Sequence, residues 1–346
     1  MVDSKEIYAI LTELKDPVSG ETLFKLGLLK DISLTNNNLS LTLIASNEEE
    51  MASFEKMIRE ALKNCGIPSI NINRVLRTST ELKPKQKAKE RVIEGVKKII
   101  AIGSGKGGVG KSTVAANLAA ALSIKHLEVG LFDGDIYGPS ISKMFGIDGI
   151  APMVENQKMI PANRFGLKIL SMGQLVDEET PVLWRGPLIH KAYEQFLYDT
   201  LWGALDILLV DLPPGTGDAQ LSAIQLVNLD GAIIVTTPQD VSLIEVKKAI
   251  NMFRKNGVKI LGVVENMSYF MCPQCGTITH IFGNGGAKKL NEKMDVKVLA
   301  EIPVSPLISK SGDEGMPVVL SNGDEHPEIR ETFLSLANNI IEEFGL

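Results

Sequence analysis

A glycine-rich loop between an apolar strand and a helix constrains this chain more than any other feature. Residues 105–113 follow the pattern GxxxxGK[ST], whose glycines let backbone N–H groups surround phosphate oxygens. Residues 98–102, which are apolar after Lys98, predict a buried strand before the loop. Residues 114–122 predict a helix after it, whose N-terminus favours an anion. This context predicts a phosphate-binding loop in an α/β domain. Its members are Gly105, Lys106, Gly107, Gly108, Val109, Gly110, Lys111, Ser112 and Thr113.

Two side chains of this phosphate loop have roles that the motif itself predicts. Lys111 is expected to reach the β- and γ-phosphates of a nucleotide, and the Ser112 hydroxyl is expected to bind Mg²⁺. Lys106 is unusual, because a second lysine cannot easily contact the same phosphates without crowding Lys111.

Composition and charge favour an ordinary globular protein. The chain has 346 residues, of which 44% are hydrophobic and 23% charged, and its net charge of −6 gives no reason to expect a nucleic-acid partner. The first residues show no basic and apolar leader, and no apolar run approaches the roughly 18 residues of a membrane span, so we expect a cytoplasmic protein with no membrane partner. Its three cysteines suit a reducing compartment.

A change in composition predicts two domains. Residues 83–91 are polar and dense in charge, which indicates a linker over residues 81–95. Residues 1–80 are predicted to form a small α+β domain, with strands at 39–44 and 70–75 and a turn at 36–38. Ser46 and Glu49 predict a capping box for a helix that ends near Asn64.

Beyond the linker, residues 96–346 alternate apolar strands with helices. This order predicts an α/β fold with a doubly wound, mainly parallel sheet. The strands are short and rich in branched apolar residues, as strands buried on both faces should be. After the strand at 98–102, they are predicted at 129–132, 207–210, 232–235, 260–264 and 298–302.

Aspartates stand where two of these strands end, and in such sheets function collects at the carboxyl ends of the strands. Asp133 and Asp135 end the second strand, and Asp211 ends the third. Because Asp211 follows four apolar residues, it takes the Walker-B position, and we expect it to hold Mg²⁺ or its water. We expect Asp133 to support the metal shell.

Cys272 and Cys275 form a second group with chemistry of its own. A CPxCG turn places two thiolates on one side of a tight loop, where they can share a metal. A redox pair is disfavoured, because the motif lies in a Pro/Gly loop and not at a helix start. A zinc site that recruits His280 and half of an iron–sulfur site completed by a second subunit both stay open, and the residues alone favour zinc.

Taken together, the motifs resemble the Mrp/ApbC family, ATPases that carry iron–sulfur clusters to apoproteins. The likeness runs from about residue 99 to the C-terminus. It rests on the phosphate loop, on DGDIYGPS from Asp133, WRGP from Trp184, DLPPGTGD from Asp211, and ENMS from Glu265 followed by CPxC. The loop itself is similar to the deviant P-loop of the MinD/ParA/nitrogenase iron protein class, in which the early lysine crosses a dimer interface. The resemblance therefore implies a homodimer in which Lys106 acts on the partner's nucleotide.

Further roles follow from the same resemblance. It implies that Asp135 orients the attacking water, that Gly215 senses a γ-phosphate, and that Asn266 and Pro303 form an adenine pocket. The chain has no Asn-Lys-x-Asp guanine reader, so ATP is preferred over GTP. The implied activity is a slow ATPase that binds a [4Fe–4S] cluster and passes it to apo iron–sulfur proteins.

The resemblance also covers the first domain, and it leaves two rivals. Asp16-Pro17 and residues 26–32 resemble a small iron–sulfur-assembly domain, although its Thr-Pro-x-Cys-Pro setting is absent, and Cys65 is expected to be a packed apolar residue. One rival is a MinD/ParA-like positioning ATPase, whose membrane-bound members end in a basic amphipathic helix, whereas residues 325–344 are acidic and are expected to pack on the sheet. The other is a targeting ATPase in which CPxC clamps zinc between subunits.

Overall fold

The structure, a computed structural model, comprises two compact units, Met1–Glu90 and Arg91–Leu346. The described residues are 4–16, 22–24, 28–35, 38–45, 47–63, 65–76, 92–174, 186–321 and 327–346. Most of the predicted linker, the fragment Leu26-Gly27, Pro17, and Trp184 and Arg185 of the WRGP motif lie outside them.

The first unit is a three-stranded sheet with two helices, in agreement with the predicted α+β class. Its sheet has the order β1-β2-β3, in which β1 and β2 are antiparallel and β2 and β3 are parallel. Leu41 and Leu43 of the sheet and Phe54 and Ile58 of the second helix share one buried core. The elements are α1 (Ser4–Glu13), β1 (Leu29–Thr35), β2 (Asn38–Ala45), α2 (Glu48–Ala61) and β3 (Ser69–Leu76).

The predicted start of α2 was wrong by one residue. Asn47 is the N-cap, and its Oδ1 accepts a hydrogen bond from Glu50 N at 2.8 Å, whereas Ser46 lies outside the described residues. Asparagine caps a helix as well as serine does, and the sequence analysis considered only Ser46. The helix ends at Ala61 and not near Asn64, and Asn38, expected in a turn, begins β2.

The second unit contains a long sheet with helices on both sides. Its strands are β4 (Val96–Ser104), β5 (Val129–Asp133), β6 (Met153–Glu155), β7 (Lys158–Ile160), β8 (Ala162–Arg164), β9 (Leu167–Ser171), β10 (Leu205–Asp211), β11 (Gly231–Thr236), β12 (Ile260–Glu265), β13 (Phe270–Met271), β14 (Ile278–Thr279) and β15 (Val298–Glu301). Its helices are α3 (Lys111–Ile124), α4 (Ile141–Met144), α5 (Gly186–Tyr198), α6 (Asp218–Leu226), α7 (Asp240–Lys255), α8 (Gly286–Met294), α9 (Pro306–Asp313) and α10 (Pro327–Phe344).

Eight of these strands form the central sheet, in the order β15-β12-β11-β4-β10-β5-β9-β8. All neighbours are parallel except β8 and β9. Successive residues of a strand enter opposite cores: Ile100 packs with α3 and α10, whereas Ala101 packs with α5, α6 and α7. This arrangement confirms the predicted doubly wound, mainly parallel sheet.

Two features of this unit bear on the sequence predictions. The strands β8 and β9 extend the sheet past β5, in a region for which the sequence analysis predicted no element. The acidic helix α10 buries Ile329, Phe333 and Leu336 in the core beside α3 and β15, which confirms its expected packing. Among the described helices, none combines the length and the apolar character needed to cross a bilayer.

Candidate nucleotide site and thiol pair

The phosphate loop joins the carboxyl end of β4 to the first turn of α3. Gly108 and Gly110 have φ of +74° and +79°, in the left-handed region that glycine adopts without strain. Gly110 is the N-cap of α3 and makes no side-chain capping bond, so the first N–H groups of the helix are available to an anion. A cavity of about 300 Å³ lies here, lined by most of the loop and by Ser104, Asp135, Gly138, Ser140, Met144 and Pro214.

Lys111, Ser112 and Asp211 meet in this cavity wall as the motif predicts. The Lys111 ammonium, buried to 5% exposure, donates to Asp211 Oδ1 at 2.6 Å. The Ser112 hydroxyl donates to Asp211 Oδ2 at 2.5 Å. A hydroxyl and a carboxylate oxygen beside a phosphate loop form a hard oxygen donor set of the kind that Mg²⁺ prefers. The residues present therefore fit a Mg²⁺–nucleotide complex.

Asp135 lies on the same cavity. Its Oδ2 is 3.7 Å from Lys111 Nζ, and its Oδ1 accepts from Gly138 N at 3.3 Å. The neighbouring Gly134 is held from two sides, because its N–H donates to Asp211 O at 2.8 Å and its carbonyl accepts from the buried hydroxyl of Tyr193. Tyr193 was missed by the sequence analysis, since a tyrosine on the apolar face of α5 carries no motif.

Asp133 is held by hydrogen bonds from the loop that follows β5 and from Ser171. Its two oxygens accept hydrogen bonds from Asp135 N, Ser140 N and Ile141 N at 3.1 Å each and from Ser171 Oγ at 2.8 Å. Three of these bonds share Oδ2, and the bond from Asp135 N goes to Oδ1. Burial, with a smaller repulsion from Asp211, raises the pKa of Asp133 to about 7. In this structure Asp133 therefore anchors the loop after β5, and its support of the metal shell stays a prediction.

Lys106 belongs to the loop but contacts a different part of the domain. Its Nζ lies 3.5 Å from the side-chain oxygen of Gln239, which also accepts from the hydroxyls of Thr237 and Ser242. Lys111, by contrast, is paired with the strand-end aspartates. The two lysines of the loop thus contact different residues. Gly215, expected to sense a γ-phosphate, donates its N–H to Ser104 O at 3.0 Å.

Asn266 and Pro303 line one cavity of about 480 Å³ beside the phosphate loop. Asn266 Nδ2 donates to Val109 O at 2.8 Å, so the residue also braces the loop. The rest of the lining is largely apolar, which suits a purine base. It includes Met267 of the ENMS motif and two residues that the sequence analysis did not identify, Met144 and Phe282.

Cys272 and Cys275 lie in the tight turn between β13 and β14. Cys272 N donates to Thr277 O at 3.0 Å, and Gly276 N donates to Cys272 O at 2.9 Å. Both thiols are free; Cys272 is half-buried and Cys275 is exposed. Hydrogen bonds with Thr277 and Cys272 lower the pKa of the Cys275 thiol.

One chain does not complete a metal site around this thiol pair within the described residues. No group of three or more His, Cys, Asp or Glu side chains there is placed to hold an ion. His280, the expected third zinc ligand, has its Nδ1 at 3.1 Å from Ser268 O. Cys65 belongs to the first unit, about 200 residues before the thiol pair in the sequence. It is half-buried against the core of that unit, which agrees with a packing role.

Comparison with known proteins agrees with this geometry. The family described as ParA, NUBPL iron-transfer P-loop NTPase, matches residues 95–341. An iron–sulfur cluster carrier protein of Aquifex aeolicus is 51% identical over 247 residues, which are 71% of this chain and 67% of that protein. One from Synechocystis is 39% identical over 332 residues, which are 93% of this chain and 92% of that protein.

A solved structure shares the fold as well. The nucleotide-binding protein of Archaeoglobus fulgidus in complex with ADP has a TM-score of 0.60 and 38% identity, and covers 68% of this chain and 93% of its own. These findings confirm the resemblance to iron–sulfur cluster carriers that the sequence motifs indicated. The chain belongs to the family of NUBPL iron-transfer P-loop NTPases.

Proposed function

We propose that this chain binds and hydrolyses ATP, holds a labile [4Fe–4S] cluster at a homodimer interface, and hands the cluster to apo iron–sulfur proteins in the cytoplasm. The observation that carries the proposal is the accessible pair Cys272 and Cys275 in the same unit as the phosphate loop. Membership of a cluster-carrier family supports iron and sulfide as the cargo of these thiols.

Residues of one chain account for nucleotide binding. The N–H groups of the phosphate loop and the Lys111 ammonium hold the phosphates, and the apolar cavity with Asn266 and Pro303 takes the adenine. Ser112 and Asp211 would hold Mg²⁺, which supplies positive charge against the charge that develops on the phosphates. Asp135, at the cavity wall, orients the attacking water.

Hydrolysis in this proposal needs a second chain. Lys106 lies beside Gln239 and not beside the paired Lys111 and Asp211. In the dimer its ammonium reaches the partner's nucleotide, as an arginine finger would. The ATPase is consequently slow until two chains meet. Tyr193 and Asp133 fix the loop that carries Asp135, and so act as positioning residues.

The dimer also completes the cluster site. A [4Fe–4S] cluster is held by four thiolates, and the turn between β13 and β14 of one chain supplies two of them. A two-fold axis brings the same patch of both chains to one place, so Cys272 and Cys275 from each subunit provide four ligands. The lowered pKa of Cys275 favours the thiolate form that binds metal.

The two rivals make different use of the same unit. A MinD/ParA-like positioning ATPase has no need of the paired thiols, and α10 buries its apolar face in the core. A zinc-clamped targeting ATPase would use the same four thiolates and is separated from a cluster carrier by what the thiols bind.

Cysteine substitution followed by anaerobic reconstitution with iron and sulfide tests the proposal. The parental protein is expected to gain the broad visible absorption of a [4Fe–4S] cluster. Cys272→Ala or Cys275→Ala should abolish it, since either change leaves two ligands per dimer where four are needed. Cys65→Ala is the matched control and should keep the absorption. Equal absorption in all three variants would overturn the assignment of the site.

A further inference from the structure

Glu265, the last residue of β12, joins the two ends of the segment that carries the thiols. This thiol segment comprises residues 268–287. The Ser268 hydroxyl at its start donates to Glu265 Oε1 at 2.7 Å, and Ala287 N at its end donates to Glu265 Oε2 at 2.6 Å. All three residues are buried, at 2% exposure or less. A buried carboxylate with both oxygens bonded is a strong and directional link.

The residues around this link are closely packed. A Cβ on Gly286 would lie 3.0 Å from Glu265 Oε2 and 2.7 Å from Pro238 O, so only glycine permits the close approach of α8 to the carboxylate. The backbone adds to the anchor, because Ile302 N donates to Glu265 O and Ser268 N donates to Ile302 O. The start of the thiol segment is therefore fixed to β12 and to the residues that follow β15.

The same junction touches the nucleotide cavity. Asn266, next in sequence to Glu265, donates to Val109 O of the phosphate loop at 2.8 Å. Phe282 of the thiol segment lines the cavity assigned to the base, together with Met267 and Pro303. A nucleotide in that cavity would contact the thiol segment at Phe282, seven residues after Cys275 in the chain.

We propose that Glu265 is the positioning residue that couples the base cavity to the two thiols. It holds the thiol segment closed at both ends, so that a ligand against Phe282 and Asn266 restrains Cys272 and Cys275 as well. The inference deepens the proposed function, since the segment is the one that would carry the cluster. The coupling itself does not require a bound cluster.

The test measures how fast iodoacetamide alkylates Cys275 in the full-length chain from which iron and zinc have been removed. The rate is measured with and without Mg·ADP, by mass spectrometry of the Cys275 peptide. ADP lacks the γ-phosphate, so the readout does not depend on the ATP-bound dimer. In the parental protein Mg·ADP should slow alkylation about fivefold or more, the lower end of ordinary coupling between two sites. Glu265→Ala should bind Mg·ADP with an affinity close to the parental one and lose this protection.

Three variants separate positioning from general damage. Glu265→Gln should keep the protection, because its amide oxygen can accept from Ala287 N while its NH₂ donates to Ser268 Oγ. Glu301→Ala removes an exposed carboxylate at the register partner on β15 and should also keep it. Ser268→Ala removes one of the two anchors and should lose part of it, which provides the test if Glu265→Ala fails to fold.

The outcomes are distinct from those of the proposed function. Full protection in Glu265→Ala, or none in the parental protein at saturating Mg·ADP, overturns the coupling. Glu265→Gln that behaves like Glu265→Ala overturns the hydrogen-bond account. A parental protein that is protected by Mg·ADP but forms no cluster would instead leave the coupling in place and refute the carrier function.

Discussion

At the scale of single residues, we expect nucleotide binding to depend most on Lys111. Its buried ammonium lies 2.6 Å from Asp211 and 3.7 Å from Asp135, so it forms ion pairs with two carboxylates. A phosphate that enters the loop meets a cation already fixed by these neighbours. Lys106, by contrast, rests near Gln239 and is free of that network.

We therefore expect substitutions of the two lysines to have different effects. Lys111→Ala removes a buried, hydrogen-bonded charge, a change that costs about 2–5 kcal/mol and should lower ATP affinity by about 100-fold or more. Lys106→Ala should keep most of the ATP affinity but lower turnover by about 10³-fold, as expected for a cation that acts across a dimer. Calorimetric binding and phosphate release measure the two effects. A Lys106→Ala protein that hydrolyses ATP at the parental rate would refute the role of Lys106 in the dimer.

How far single residues could be predicted follows from how they act. Lys111, Ser112 and Asp211 were placed together by the motif, because their spacing on a strand, a loop and a helix is fixed by what phosphate and Mg²⁺ require. Tyr193, Asp133 and Glu265 act through buried hydrogen bonds to other residues. Their long-range bonds, from Tyr193 to Gly134, from Ser171 to Asp133 and from Ala287 to Glu265, join positions 22 to 59 residues apart, and no local pattern of residue types indicates them.

At the scale of elements, the phosphate loop is shaped by the helix behind it. A Cβ on Gly105 would lie 2.4 Å from the carbonyl carbon of Glu245 and 2.6 Å from Val246 N, so the first glycine of the loop allows close contact with the backbone of α7. Gly107 has its nearest such neighbour, Pro214, at 3.9 Å. The requirement for glycine thus differs between two positions of the same loop.

This difference predicts distinct stabilities for two alanine variants. Gly105→Ala should lower the free energy of unfolding by about 2 kcal/mol or more, because neither backbone can move without breaking its own hydrogen bonds. Gly107→Ala should be within about 0.5 kcal/mol of the parental protein. Urea denaturation in the absence of nucleotide measures both values. Equal losses in the two variants would contradict the packing of Gly105 against α7.

Elements were predictable where their burial is simple. Strands such as β10 and β11 are buried on both faces, and each contains four successive apolar residues, at 207–210 and 232–235. The strands β8 and β9 were missed because β8 has only three residues and is largely exposed, and Lys168 leaves β9 with only two successive apolar residues, Ile169 and Leu170. The tight hairpin between them uses Phe165 at a φ of +53°, a conformation that a bulky residue seldom signals.

At the scale of the whole molecule, the chemistry is concentrated in one unit. The phosphate loop, the strand-end aspartates, the base cavity and the thiol pair all belong to Arg91–Leu346. The first unit has a core of its own. We propose that residues 1–80 are a small assembly-like domain that recognises partners, joined by the linker at 81–95.

Truncation tests this division of roles. A chain that begins at residue 91 should fold, bind ATP with nearly parental affinity and reconstitute a cluster, since every group in these sites is retained. Delivery to an apoprotein is expected to fall. Circular dichroism establishes the fold, and ATP titration and visible absorption measure the sites. A well-folded truncation that no longer binds ATP would show that the first unit contributes to the nucleotide site.

The central claim is one cluster shared by two chains, and the metal content of the assembled dimer tests it most directly. The protein is purified and reconstituted without oxygen, its mass is measured in solution, and iron, sulfide and zinc are counted per chain. The account predicts a dimer with about four iron atoms and four sulfides, that is, one [4Fe–4S] cluster for two chains. A dimer that holds stoichiometric, chelator-resistant zinc and takes up no cluster would contradict it and favour the zinc-clamped ATPase.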